Sequence, residues 1–79
     1  MTVFVQYFAI LREQRGLADE TIGTGASTPA GLYEELRARH GFTLPTGRIR
    51  VAVNGDFVPD SAPLHDGDTV VFIPPVAGG

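Results

Sequence analysis

The chain has no cysteine and no lysine. The first absence excludes a disulfide framework, a thiolate metal site and a cysteine nucleophile. Packing alone must then hold the fold together, and no oxidising compartment is needed. The second absence leaves six cations, all arginine: Arg12, Arg15, Arg37, Arg39, Arg48 and Arg50. A genome that favours arginine explains that choice. One consequence holds regardless: the N-terminus is the only amine open to acylation. Positive charge is also scarce. The formal net charge is −3, whereas phosphate contacts rely on clustered cations, so no nucleic-acid partner is expected. No apolar run approaches the roughly 18 residues of a membrane span. The opening "MTVFVQYF" lacks the basic and long apolar regions of a signal peptide. A soluble cytoplasmic protein without a membrane partner is the expectation.

What is present fits one small domain. A chain of 79 residues buries only about 60–65% of the surface it exposes when unfolded. "TVFVQYFAI" (Thr2–Ile10) is rich in β-branched and aromatic residues and predicts a strand. Alternation places Val3, Val5 and Tyr7 on one face and Phe4, Gln6 and Phe8 on the other, wetter one. "LREQRG" predicts a short helical turn or loop, and "DETIGT" (Asp19–Thr24) a second strand in a loose hairpin. Thr28 and Pro29 form the start signal of a helix. Leu32, Tyr33, Leu36 and His40 recur at helical spacing along it. Gly41 reads as its left-handed stop, with Phe42 folding back. "RIRVAVNGDFV" is a hairpin turning at Asn54-Gly55. Ile49, Val51 and Val53 alternate there with Arg48, Arg50 and Ala52, and the second arm, "DFV", is short. After the Asp66-Gly67 turn, Val70 and Phe72 share one face of the last strand, and Thr69, Val71 and Ile73 the other.

One helix cannot cover two sheet faces, so one face stays open. A hairpin before the helix and another after it predict an α+β, β-grasp fold: a mixed sheet of four to five strands packed on one main helix. The first and last strands would lie side by side at its centre. Residues 1–75 form the body and 76–79 a tail.

Catalytic constellations are scarce. His40 and His65 have no ligand-spaced partner and read as structural. Asp56, Asp60, Asp66 and Asp68 cluster in turns, where carboxylates bond the backbone, and lack calcium-loop spacing. No glycine-rich run ends in Lys-Ser or Lys-Thr, so there is no phosphate loop. Ser27 and Ser61 have no evident base. Arg12 and Glu13 read as a surface pair or part of a docking rim.

The ending "FIPPVAGG" stands apart. Pro74 and Pro75 have no N–H to donate, so the sheet stops there. Val76, Ala77, Gly78 and Gly79 can extend roughly 13 Å at about 3.3 Å per residue. Glycines without β-carbons can thread a narrow channel. A carboxylate on a thin arm needs these properties; a frayed end would share them.

Across its whole length the chain resembles the MoaD family, the small subunit of molybdopterin synthase. The resemblance is carried by "FAILREQRG" after the first strand, "VAVNG" in the hairpin and "PLHDGDTVVFIPPVAGG" at the end. Members often carry an aromatic residue before the proline pair; here Ile73 stands there. The resemblance implies a ubiquitin-like β-grasp that works as a sulfur carrier. A partner resembling ubiquitin-activating enzymes would use ATP to adenylate the Gly79 carboxylate. A sulfur donor protein would then displace AMP and leave a thiocarboxylate. The large subunit, in an implied heterotetramer, would receive the tail, and the sulfur would pass to cyclic pyranopterin monophosphate in molybdenum cofactor biosynthesis. No cofactor or metal is expected on this chain alone, which acts as the sulfur-donating subunit of a sulfurtransferase without a complete active site.

Ordering the four tail residues costs about 1–2 kcal/mol each, so the body must supply most of the docking affinity. Phe4, Phe8, Val71 and Ile73, edged by Arg12, Arg48 and Arg50, are the expected docking residues, because an apolar patch with a polar rim suits a protein interface. Rival readings are a carrier of the same fold serving thiamine or cysteine biosynthesis, a protein modifier joined to targets through Gly79, and a binding module with an inert tail.

Overall fold

Alternating burial along the first strand sets the layers. In β1 (Thr2–Tyr7) Val3, Val5 and Tyr7 are buried while Thr2, Phe4 and Gln6 are exposed. A computed structural model describes residues 1–75. The tail residues Val76, Ala77, Gly78 and Gly79 lie outside the described residues. After β1 come α1 (Ala9–Arg15), β2 (Asp19–Gly23), α2 (Pro29–His40), a 3₁₀ turn (Thr46–Arg48), β3 (Arg50–Val53), β4 (Asp56–Val58) and β5 (Thr69–Ile73). The sheet order is β2-β1-β5-β3-β4, with β1 and β5 parallel and the other pairs antiparallel. The first and last strands are neighbours and β5 is central. This is the β-grasp arrangement.

Helix α2 starts where Thr28 Oγ1 accepts the Gly31 N–H at 3.1 Å, with Pro29 next. It ends at Gly41, whose φ of 73° lets its N–H return to the Arg37 carbonyl at 2.8 Å. Leu32, Tyr33 and Leu36 pack with Val3, Val5, Val51, Val70 and Phe72 into one core. Phe42 folds back as a buried ring, stacked on Tyr33 at 5.8 Å between centroids. At the β3–β4 turn Asn54 and Gly55 both adopt positive φ, 52° and 91°.

Two elements differ from expectation. The first strand stops at Tyr7 and does not continue to Ile10. Phe8 is the N-cap of α1, and Leu11 is fully buried in the core from that helix. Arg48 does not join β3; it closes the 3₁₀ turn, whose Thr46 hydroxyl donates to the Glu34 carboxylate of α2. The Arg48 N–H bonds the Pro45 carbonyl at 2.9 Å, a turn bond in place of a strand ladder.

Two of the turn carboxylates, Asp66 and Asp68, bind backbone. Asp66 accepts the Thr2 N–H at 2.7 Å. Asp68 accepts the His65 N–H at 2.8 Å and the Asn54 side-chain amide at 2.9 Å. The His65 bond comes first among the causes that hold Asp68 below its ordinary carboxylate pKa.

Candidate functional site

The point where the chain leaves the sheet is an apolar groove of about 720 Å³. Three separate segments wall it. Phe8, Ala9 and Ile10 come from the β1–α1 corner, Leu44 from the loop after α2, and Ile73, Pro74 and Pro75 from the end of β5. Parallel pairing of β1 and β5 is the cause: Tyr7 lies opposite Phe72, so both strands finish at the same edge. Glu13 is the charged member of the lining.

The walls are braced from behind. Gln14 in α1 donates to Thr43 Oγ1 at 2.9 Å and accepts the Thr43 N–H at 3.3 Å. Tyr33 donates its hydroxyl to the Leu44 carbonyl at 2.7 Å. Ala9 sits at φ 51°, a left-handed conformation that strains a residue with a β-carbon. This corner sharply redirects the chain from strand to helix.

Beneath the corner, Glu20 of β2 gathers partners from three elements. Arg15 of α1 binds it through two nitrogens at 2.8 and 2.9 Å. Tyr7 donates to it at 2.7 Å, and His40 Nε2 stands 3.8 Å away. The Arg15 bonds, helped by the Tyr7 hydroxyl, hold the Glu20 carboxyl down to about 2. Burial and then the bond to Glu20 push the Tyr7 phenol far up, so it stays protonated. Burial also pushes His40 below its ordinary value, and its Nε2 has no hydrogen-bond partner among the described residues. A neutral imidazole in that place costs less than a buried cation. The cluster ties α1, β1 and β2 together, and none of its residues lines the groove.

A second apolar area lies on the open face of the sheet. Register places Gln6, Val71, Ala52 and Phe57 in one row across β1, β5, β3 and β4. Arg50 and Ile73 are opposite each other nearer the tail. The Arg50 guanidinium lies 4.3 Å from the centroid of the Phe57 ring. Phe57 is 60% exposed, and Phe4 and Phe8 are about half exposed.

The structure thus divides the seven expected docking residues. Phe8 and Ile73 meet in the groove. Phe4, Arg50 and Val71 lie on the open face. Arg12 borders a smaller hollow that shares Ala9 and Glu13 with the groove, and it makes no ion pair with Glu13 among the described residues. Arg48 stands apart on the turn tied to α2. Sequence reasoning missed Ile10, Leu44 and Phe57. The Phe57 signal was present: a two-residue Asn-Gly turn pairs Ala52 with Phe57, and Ala52 belongs to the open face. Nothing local marks Leu44, which reaches the groove only through tertiary folding.

Among the described residues no group of three or more carboxylates or histidines is placed to hold a metal ion. No described helix is long and apolar enough to cross a membrane. The groove offers surface for binding and no acid–base pair.

A family model described as the ThiS family matches residues 5–79. The molybdopterin synthase sulfur carrier subunit of Escherichia coli K12 is 36% identical over 78 residues, covering 95% of this chain and 96% of that protein. The protein of the same name from Chlamydomonas reinhardtii is 35% identical and covers both chains completely. Among solved structures, a chain of the protein–protein complex of subunits 1 and 2 of molybdopterin-converting factor from Helicobacter pylori 26695 superposes with a TM-score of 0.67. It is 28% identical, with 100% of each chain covered.

Proposed function

The chain belongs to the ThiS family, and within it we propose that this chain is the sulfur-carrier small subunit of a molybdopterin synthase. The observation that carries this reading is full-length similarity to proteins bearing that name. The groove supports it: an apolar surface at the root of the tail can dock a partner and aim the tail into it.

In this reading Gly79 is the reactive group. A carboxylate is a poor electrophile, so an adenylating enzyme joins it to AMP from ATP and releases pyrophosphate. The sulfur of a donor protein forms a bond to the carbonyl carbon as the bond to AMP breaks. That donor sulfur is the outer atom of a persulfide, and a thiol then cleaves its S–S bond, is itself oxidised to a disulfide and leaves a thiocarboxylate on Gly79. The large subunit then receives the tail, and the sulfur passes to cyclic pyranopterin monophosphate. The acid–base and phosphate-binding groups belong to the partners. The body positions Gly79 through the groove, and all of this chemistry takes place in the cytoplasm.

Mass spectrometry after co-expression with an adenylating enzyme and a sulfur donor tests the reading. One oxygen of Gly79 should be exchanged for sulfur, and removing Gly79 should abolish transfer while the circular dichroism spectrum stays unchanged. Transfer that survives the deletion overturns the proposal. An isopeptide bond to another protein would instead identify a modifier.

A further inference from the structure

Activated carboxyl groups react with amines and thiols, and the chain has no lysine or cysteine side chain. The remaining nucleophiles are covered or distant. The Met1 amine donates to the Thr24 carbonyl at 3.0 Å, and Met1 O accepts the Thr24 N–H at 2.8 Å. This is the end of the sheet where β5 begins, because the Gly67 N–H bonds the Thr2 carbonyl there. His65 belongs to the same turn, its side chain 75% exposed. The tail departs from the other end, beyond the roughly 13 Å spanned by β5. Tyr7 and Tyr33 are buried and donate their hydroxyls to Glu20 and the Leu44 carbonyl. His40 Nε2 is buried as well. Arginine stays protonated and has no free lone pair, and serine or threonine hydroxyls need a general base to attack.

We propose that the body is inert toward its own activated C-terminus, so that only a partner's sulfur, a partner's amine or water consumes it. The proposal rests on the reading that Gly79 is activated. Self-capture would form a C–N bond at the Gly79 carbonyl, expel AMP with the bonding electron pair and release the amine proton to solvent. It would destroy the carrier irreversibly, whereas hydrolysis returns the free acid for another cycle. Arginine in place of lysine keeps positive charge at Arg50, opposite Ile73 at the end of β5, without supplying the nucleophile.

The chain released from an intein fusion as a C-terminal thioester tests this without an activating enzyme. The thioester should decay only to the free acid. In Arg50→Lys the new amine is carried by the β3 residue paired with Ile73, at the strand end from which the chain leaves the sheet, where tethering gives an effective concentration on the order of millimolar. That variant should form a cyclic amide, one water lighter than the free acid, in about tenfold or greater excess over the unsubstituted chain. Arg12→Lys provides a second test from the α1 side, and His65→Lys, at the far end, should stay at the unsubstituted level. A self-amide from the unsubstituted chain overturns the proposal. So does the absence of cyclic product from both near-tail variants when circular dichroism shows them folded. Failure of an adenylating enzyme and ATP to activate the chain would count against the sulfur-carrier reading and leave the thioester result standing.

Discussion

Glu20 shows how much one side chain sets at this scale. Its carboxylate joins Arg15, Tyr7 and the neighbourhood of His40. Its folded pKa of about 2 lies below the ordinary 4.5. A carboxyl depressed on folding contributes stability that is complete above its unfolded pKa and lost as pH falls through the folded one. His40 is depressed from 6.5, so its contribution also fades on acidification. Asp68, depressed from 3.8, has the same sign. Stability should therefore fall steadily from pH 7 to pH 2, measured as urea midpoints at a series of pH values. Glu20→Gln should cost about 2 kcal/mol at pH 7, as for a lost charged hydrogen bond, and flatten the limb below pH 4.5. An unchanged acid limb would remove Glu20 from this role. Ala9 makes the opposite test. Replacing it with glycine removes the left-handed strain and should stabilise the fold by about 1 kcal/mol in the same titration.

At the scale of elements, legibility followed local signals. Helix α2 carries Thr28-Pro29 at its start and Gly41 at its end, and both ends are readable. Its apolar stripe is the core contact, so Leu36→Ala should cost about 2–5 kcal/mol in urea unfolding. A loss below 1 kcal/mol would mean that α2 is not fastened to the sheet through that stripe. Helix α1 has the opposite character. Its N-cap, Phe8, makes no side-chain capping bond, and no acidic residue marks its first turn. The β-rich run simply continues across its start, and only the tertiary burial of Leu11 decides for helix. Arg48 was misplaced for a similar reason: alternation ran on through a turn that Pro45 begins. Phe57 was recoverable from register and the groove was not. Phe8, Leu44 and Ile73 are far apart in sequence, and the β1–β5 pairing that gathers their segments leaves no local pattern.

For the molecule as a whole, the question is which part supplies affinity for a large-subunit partner. The four residues after Pro75 cost roughly 4–8 kcal/mol to order. Micromolar binding corresponds to about 8 kcal/mol in total. Two of the four are glycines with almost no surface to bury, so the tail gains little beyond its own ordering cost. The body must supply the surplus, through apolar anchors that are exposed before docking. Phe8 and Ile73 flank the tail root, and Phe57 with Arg50 extends the surface across the open face. Truncation after Pro75 should abolish sulfur transfer yet leave large-subunit affinity within about tenfold, because the lost contacts and the relieved ordering cost offset one another. Phe8→Asp together with Ile73→Asp should weaken binding by about a hundredfold or more, since each would place a charge in the proposed docking groove, where a partner would exclude water. Phe57→Ser is the milder test: it should weaken binding by about tenfold while leaving thermal stability nearly unchanged, as expected for a side chain 60% exposed. Calorimetric titration of the large subunit with the three variants separates the contributions. If the truncated body no longer binds while the double aspartate variant does, the tail is the anchor and the body only its carrier. The reverse order of losses makes the groove the docking site and leaves the tail free for chemistry.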